Sequence, residues 1–186
     1  MRKLLTIIGC CLFFAATATA QRVGVKTNLL GWGAYGTVNA GIEPALTPYL
    51  TFAVDGYYNP YTYEAGNSSK FWGVQPELRY WVKTKFTGAY IGINSLYSSY
   101  DFGMNLYRYD GWMTGVGAGI GYSYPFAKRW RATAGIGAGW KHKEHVVTNL
   151  PQYVDRDISY PYGFDAVVKN SFGITKAEIS ITFIIR

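Results

Sequence analysis

The sequence predicts an all-β protein, an eight-stranded antiparallel up-and-down transmembrane β-barrel. Three observations predict it: segments of strict alternation recur along the chain, one face of each segment is free of charge, and aromatic residues gather at segment ends. In the stretch KFWGVQPELRYWVK, residues 70–83, Trp72, Val74, Leu78 and Tyr80 share one face, while Gln75, Glu77 and Arg79 share the other. The composition agrees. Seventeen Tyr, six Trp and 22 Gly with only 16% charged residues suit strands better than helices.

The amino terminus reads as an export signal. Arg2 and Lys3 precede an apolar run over 4–16, and Ala18-Thr19-Ala20 supplies a small-residue cleavage site. Residues 1–20 are expected to be removed, which leaves one barrel domain over 21–186. The apolar run is too short to span a membrane well. Ile7-Ile8-Gly9-Cys10 loosely resembles a lipoprotein box, but the apolar run continues past it. Cys10 and Cys11 both fall in the signal, so the mature chain would hold no cysteine, disulfide or thiolate chemistry. Without Arg2 and Lys3 the 18 basic residues become 16, against 11 acidic, a formal charge of +5. That charge is mild and spread out, and it does not argue for nucleic acid.

Alternation marks eight strands, at about 22–32, 35–43, 49–58, 71–82, 88–98, 112–124, 129–142 and 173–186. Most run to roughly 9–13 residues, the length of a tilted membrane-spanning strand. The connections 45–48, 83–87 and 125–128 are short. Those at 59–70, 99–111 and 143–172 are longer and rich in Tyr, Asn, Asp, Gly and Ser, although the first connection on that side, near Gly33 and Ala34, is short. Short turns at one end and longer loops at the other fit periplasmic turns and extracellular loops. An even strand number then puts both termini in the periplasm of a bacterial outer membrane.

Aromatic placement extends the pattern. Trp32, Tyr35, Tyr58, Trp72, Tyr97, Trp112 and Trp140 fall at the expected outer end, and Tyr49, Tyr80, Tyr90, Tyr122, Tyr124, Trp130 and Phe183 at the expected inner end. Trp130 and Trp140 lie ten strand steps apart. With a tilt near 40° that is ~25 Å, the height of a barrel's apolar band.

The two faces divide sharply. Val38, Ala40, Ile42, Leu50, Phe52, Val54, Ile91, Ile93, Ile120, Ile136, Ile179 and Ile181 lie on a charge-free face. The opposite face carries Lys26, Arg79, Arg131 and Lys176 with Glu43, Asp55, Glu77 and Glu178. A soluble barrel would place the apolar face inside. A continuous charge-free face bounded by aromatic belts instead favours lipid outside and a polar lumen inside. Four charges of each sign favour a salt-bridge network that plugs the lumen. Gly115, Gly117, Gly119 and Gly121, then Gly135, Gly137 and Gly139, recur at every second position on the lumen face, giving room for long side chains opposite. No phosphate-loop signature follows them. Pro76 cannot donate to a ladder, so pairing is expected to break or bulge there toward one neighbouring strand.

The blocks Asn28-Leu29-Leu30-Gly31-Trp32, Gly56-Tyr57-Tyr58-Asn59-Pro60-Tyr61-Thr62-Tyr63 and Lys70-Phe71-Trp72-Gly73-Val74-Gln75-Pro76-Glu77-Leu78-Arg79-Tyr80-Trp81 resemble a Bacteroidota family of small signal-bearing proteins defined only as a domain of unknown function. The resemblance covers the mature chain and implies an eight-stranded outer-membrane barrel. Gene neighbourhoods in that family imply a surface or fimbrial assembly partner. They carry over no catalytic residues. Many barrels end in an aromatic residue, whereas here Phe183 stands three residues in from the end.

Three functions compete. The first is a structural or interaction barrel that works through its loops, above all 143–172, where Tyr153, Tyr160 and Tyr162 stand among Asp155, Arg156 and Asp157. The second is a narrow channel. The third is a lipid-modifying enzyme built on His142 or His145 with Ser159 and an acid such as Asp157, but no spacing enforces that set. His142, Glu144 and His145 also lack a further ligand at metal spacing. The interaction barrel is the favoured reading, with outer-membrane lipid around it, no cofactor or metal, and no small-molecule substrate identified.

Overall fold

The computed structural model describes residues 22–33, 36–62, 68–104, 107–149 and 165–185. The expected signal at 1–20 and the loop residues Tyr153, Asp155, Arg156, Asp157, Tyr160 and Tyr162 lie outside these, as does Tyr35. Eight antiparallel strands close a barrel in simple sequential order. They are β1 (Val23–Asn28), β2 (Val38–Pro44), β3 (Leu50–Asn59), β4 (Ser68–Trp81), β5 (Gly88–Met104), β6 (Tyr107–Pro125), β7 (Trp130–Asn149) and β8 (Asp165–Ile185). β1 closes the ring on β8, from Val23 opposite Ile185 to Asn28 opposite Ser180.

Burial follows the two-residue period and places the polar face inside. In β4, Gln75, Glu77, Arg79 and Trp81 are buried, whereas Trp72, Leu78 and Tyr80 are exposed. Between the aromatic rows, no charged side chain of the described residues points outward. One row runs along the loop end, where Trp72 meets Tyr97 (5.6 Å) and Tyr97 stacks near Trp112 (6.3 Å). At the turn end Trp130 packs on Phe183 at 4.9 Å. Tyr90 departs from the expected girdle. It lies between the outward Ala89 and Ile91, so the strand period turns its ring inward, and it is only 2% exposed.

The expected first strand stops early. Leu29–Gly33 forms a short helix, α1, over the loop-end rim. Asn28 caps it, its Oδ1 accepting from the Leu30 N–H at 3.1 Å. Asn39 reinforces the corner by donating to the Asn28 carbonyl at 2.9 Å.

Strands β4 to β8 are longer than the alternation suggests. Much of the expected loops at 99–111 and 143–172 is strand. β5 and β6 pair out to Met104 opposite Tyr107, and β7 and β8 out to Val147 opposite Asp165. Polar residues enter these extensions through cross-strand partners. Arg108, for instance, makes two bonds to Asp101, at 2.8 and 2.5 Å.

Two irregularities matter for the interior. At Pro76 the ladder to β3 continues, with Val54 opposite Pro76, while pairing to β5 lapses between Val74–Tyr97 and Glu77–Asn94 with no change of register. The break expected at this proline therefore falls on the β5 side. The second is a bulge in β8, where Gly137 faces Lys176 but Ala138 faces Ile174, leaving Thr175 as the extra residue. Thr175 and Lys176 are both buried.

The turn end is corked. Phe86 (3% exposed) folds inward from the 82–87 turn against Ala45 and Ile184, with its ring 6.2 Å from Trp81. Its φ of 63° lies in the left-handed region that favours glycine. Thr87 closes the turn by donating to the Thr84 carbonyl at 3.1 Å.

Candidate functional site

Above the cork, Arg79 organises a buried charge cluster. The two-residue period of β4 aims Glu77, Arg79 and Trp81 into the same narrow interior. Arg79 donates from Nε to Glu77 (2.5 Å), from Nη1 to Glu43 (2.9 Å) and from Nη2 to Glu178 (2.6 Å). Its guanidinium lies 4.7 Å from the centre of the Tyr90 ring. A planar fork with several donors suits this work, because one cation meets three carboxylates from three strands.

Two lysines complete the cluster. Lys26 bridges Asp55 (2.8 Å) and Glu178 (3.2 Å), and the β8 bulge delivers Lys176 to Glu77 and to Glu178 (2.6 Å). Neutral donors reach two of these carboxylates. Thr51 donates to Glu43 at 2.6 Å and itself accepts from Trp81 at 2.9 Å, while Ser180 donates to Glu178 at 2.7 Å. Seven of the eight lumen charges named from sequence, Lys26, Glu43, Asp55, Glu77, Arg79, Lys176 and Glu178, thus share one network. Arg131 stands apart at the turn-end mouth. Its Nη1 donates to the Ala127 and Trp130 carbonyls. Three cations therefore meet four carboxylates. Glu77 Oε1 and both amide atoms of Asn94, which sits opposite Glu77, are buried without a hydrogen-bond partner.

Glycines make room for this filling. A Cβ on Gly41 would stand 2.0 Å from Asp55 Oδ1, one on Gly92 2.6 Å from Glu77 Oε1, and ones on Gly121 and Gly135 within 2.4 and 2.5 Å of Tyr90. The β6 and β7 glycines thus form the flat wall against which side chains of β5 and β8 such as Tyr90, Asn94 and Lys176 pack.

Beyond the cluster the lumen changes character. Gln75 spans it and donates to the Thr175 carbonyl at 2.7 Å, where the bulge has turned that carbonyl inward. Above this bar lie two adjoining cavities that share Phe71, Ser98 and Met113. The lower, about 370 Å³, is lined by Asn28, Tyr57, Leu96 and Thr175 among others; the upper, about 440 Å³, by Tyr100, Phe102, Tyr109, Lys143 and His145. Tyr100 stacks with Phe102 at 5.2 Å, Phe71 meets Phe102 at 6.2 Å, and His145 lies 5.8 Å from Tyr109. Burial raises the Tyr100 phenol pKa. The sequence does not reveal this vestibule, because its residues fall in 99–111 and 143–172, which read as loop. The alternation of Tyr100 with Phe102, and of Tyr107 with Tyr109, was the available signal.

The two histidines do not converge. His142 points outward, with Nδ1 2.8 Å from Asn170 Oδ1 and its ring beside Trp112 and Trp140. His145 points into the vestibule. Ser159 lies outside the described residues. Among the described residues no group of three or more His, Cys, Asp or Glu side chains could hold a metal ion.

Comparison with known proteins adds a family. No curated protein and no solved structure matches the chain. A model of a protein family of unknown function, DUF3575, matches residues 5–185, nearly the full length. The eight-stranded barrel with a charged interior therefore belongs to a member of the DUF3575 family of proteins of unknown function.

Proposed function

We propose that this is an outer-membrane barrel with a plugged lumen, a non-enzymatic structural or interaction protein that works at the cell surface through its loop end. The observation that carries the reading is the inversion of its faces. Side chains as costly to desolvate as Arg79 and Glu178 are inside, while Ile91, Ile93, Ile120 and Ile136 are each more than half exposed outside. In water that arrangement would expose a broad apolar surface. In a bilayer it puts hydrocarbon against isoleucine and spares each outward position the roughly 2–4 kcal/mol cost of a charge at the midplane. A shallow apolar depression of about 620 Å³ on this outer face, lined by residues such as Ile93, Ala118 and Ile120, is a suitable bed for acyl chains.

The outer ends of β1 and β8, Val23 and Ile185, lie at the turn end, which fits a periplasmic turn end and a surface-exposed loop end. An export signal over 1–20 completes this route. A plug of seven paired charges argues for interaction rather than conduction, and the partner we favour is a surface or fimbrial assembly protein. The decisive experiment is gel mobility of the detergent-extracted protein, unheated against boiled. An outer-membrane barrel migrates as two distinct forms and needs detergent to stay dispersed. A protein that remains monomeric in buffer alone would sink the proposal. Planar-bilayer recording should show no stable conductance steps, and crosslinking in intact cells should capture the partner at the loop end.

A further inference from the structure

The vestibule holds a charge arrangement that the plug does not explain. Lys143 of β7 and Lys169 of β8 are directly opposite in the ladder. Like charges in that position destabilise a strand pair. Lys141 lies on the same face, its Nζ 3.1 Å from the Ile174 carbonyl. Among the described residues none of these three lysines forms an ion pair, whereas every cation of the plug below forms at least two. His145, on the same face, keeps a buried Nδ1 without a hydrogen-bond partner. Lys143 and His145 line the upper cavity together with four aromatic side chains, Phe71, Tyr100, Phe102 and Tyr109.

We propose that this vestibule is a binding site for an acidic sugar, a pyranose ring carrying a carboxylate. Each half of the site addresses one half of that ligand. The lysines supply charge-assisted donors for the carboxylate, and binding it relieves the Lys143–Lys169 repulsion. Aromatic planes take the apolar C–H face of a pyranose, and the Tyr100 and Tyr109 hydroxyls and His145 Nδ1 are placed to exchange hydrogen bonds with its hydroxyl groups. A cavity of about 440 Å³ is of the size that holds small ligands. A fatty-acid anion fits less well, because Ser98, Tyr100, Lys143 and His145 interrupt the apolar lining that a long chain would need. The proposal does not depend on membrane insertion, since the described lining of the cavity comes from β4, β5, β6 and β7.

The test uses the full mature chain, folded in detergent, titrated with digalacturonate, with the neutral disaccharide cellobiose and with acetate, binding being read by calorimetry. Digalacturonate is expected to bind, with the other two at least about tenfold weaker. The K143Q/K169Q variant should lose about tenfold in affinity for digalacturonate, the size expected for two partly exposed ionic contacts. Y100A should weaken the uronate without creating any preference for acetate. Gel mobility of each variant confirms that the barrel has folded. Equal binding of cellobiose, equal binding of acetate, unchanged affinity in folded K143Q/K169Q, or no binding of digalacturonate at millimolar concentration would each overturn the proposal.

Discussion

Around Arg79 the lumen balances its charges almost completely, with three cations interlocked with four carboxylates and hardly a solvent-exposed atom among them. A few residues up the same barrel, Lys143 faces Lys169 with no carboxylate in ion-pair range among the described residues. The two regions share a wall, since β7 and β8 run through both. The difference lies in what fills them. At the turn end the chain supplies its own counter-ions and its own volume, with Tyr90, Trp81 and Phe86 packed against a glycine wall. At the loop end it supplies cations and aromatic planes and leaves space between them. A region that satisfies itself has a structural role. A region that leaves matched groups unsatisfied points to something brought from outside.

The sharpest way to break the contrast is to remove the centre of the plug. Arg79→Met keeps most of the side-chain volume but strands Glu43, Glu77 and Glu178 in a buried site. Removing one member of a buried ion set costs about 3–5 kcal/mol, because the remaining charge is uncompensated. Urea denaturation in detergent should show that loss or a failure to fold. A change below about 1 kcal/mol would mean that water reaches the cluster and that the lumen is not sealed there.

The cork comes next. Phe86→Ala removes a buried ring at the turn end and should cost about 2–4 kcal/mol. Phe86→Gly loses the same ring but accepts the positive φ, so it should be about 1 kcal/mol less damaging than the alanine variant. If alanine and glycine prove equal, the backbone at 86 relaxes once the ring is gone.

A third substitution probes the flat wall. Gly121→Ala would place a methyl carbon 2.4 Å from the Tyr90 ring, which is held by Trp81 at 4.9 Å and by Arg79. Overpacking of this kind should cost about 1–3 kcal/mol. Gly33, at the rim, has nothing within 4 Å of the corresponding position, so Gly33→Ala should be neutral or slightly stabilising in the same measurement.

The same contrast governs what could be read from sequence. Seven plug residues were legible because strand parity alone decides inside from outside once the strands are located. Tyr90 was equally legible by parity, since Ala89 and Ile91 on either side face out. The expectation of an aromatic girdle pulled it the wrong way. Arg131 shares the inward parity, but parity says nothing of depth, and Arg131 sits where the mouth meets solvent. Residues 29–32 read as strand because their apolar side chains continue the pattern of β1. The side-chain cap from Asn28 that turns this stretch into a helix needs Asn39 from the next strand to hold it. The vestibule was hidden for a different reason. Asp101, Arg108, Asp110 and Lys143 look like loop chemistry, and only their cross-strand neighbours make them strand. The bulge at Thr175 leaves no mark in the local sequence, because it arises from a register between β7 and β8 that no single segment contains.

The smallest expected effect sharpens the comparison most directly, because it repeats the chemistry of the plug outside it. Arg108 holds Asp101 with two bonds at 2.8 and 2.5 Å, a geometry as good as that of Arg79 with Glu178 at 2.6 Å. That bond to Asp101 raises the Arg108 pKa, so the guanidinium stays charged throughout any practical range. Yet the Arg108 side chain is half exposed, whereas that of Arg79 is about 1% exposed. Water solvates either partner when the other is removed, so Arg108→Ala should cost no more than about 1 kcal/mol. Added salt should shrink the difference between wild type and Arg108→Ala and leave that between wild type and Arg79→Met nearly unchanged, because screening reaches the first pair and not the second. If the two arginines cost the same, contact geometry rather than burial would govern these ion pairs, and the distinction between a sealed plug and an open vestibule would lose its energetic basis.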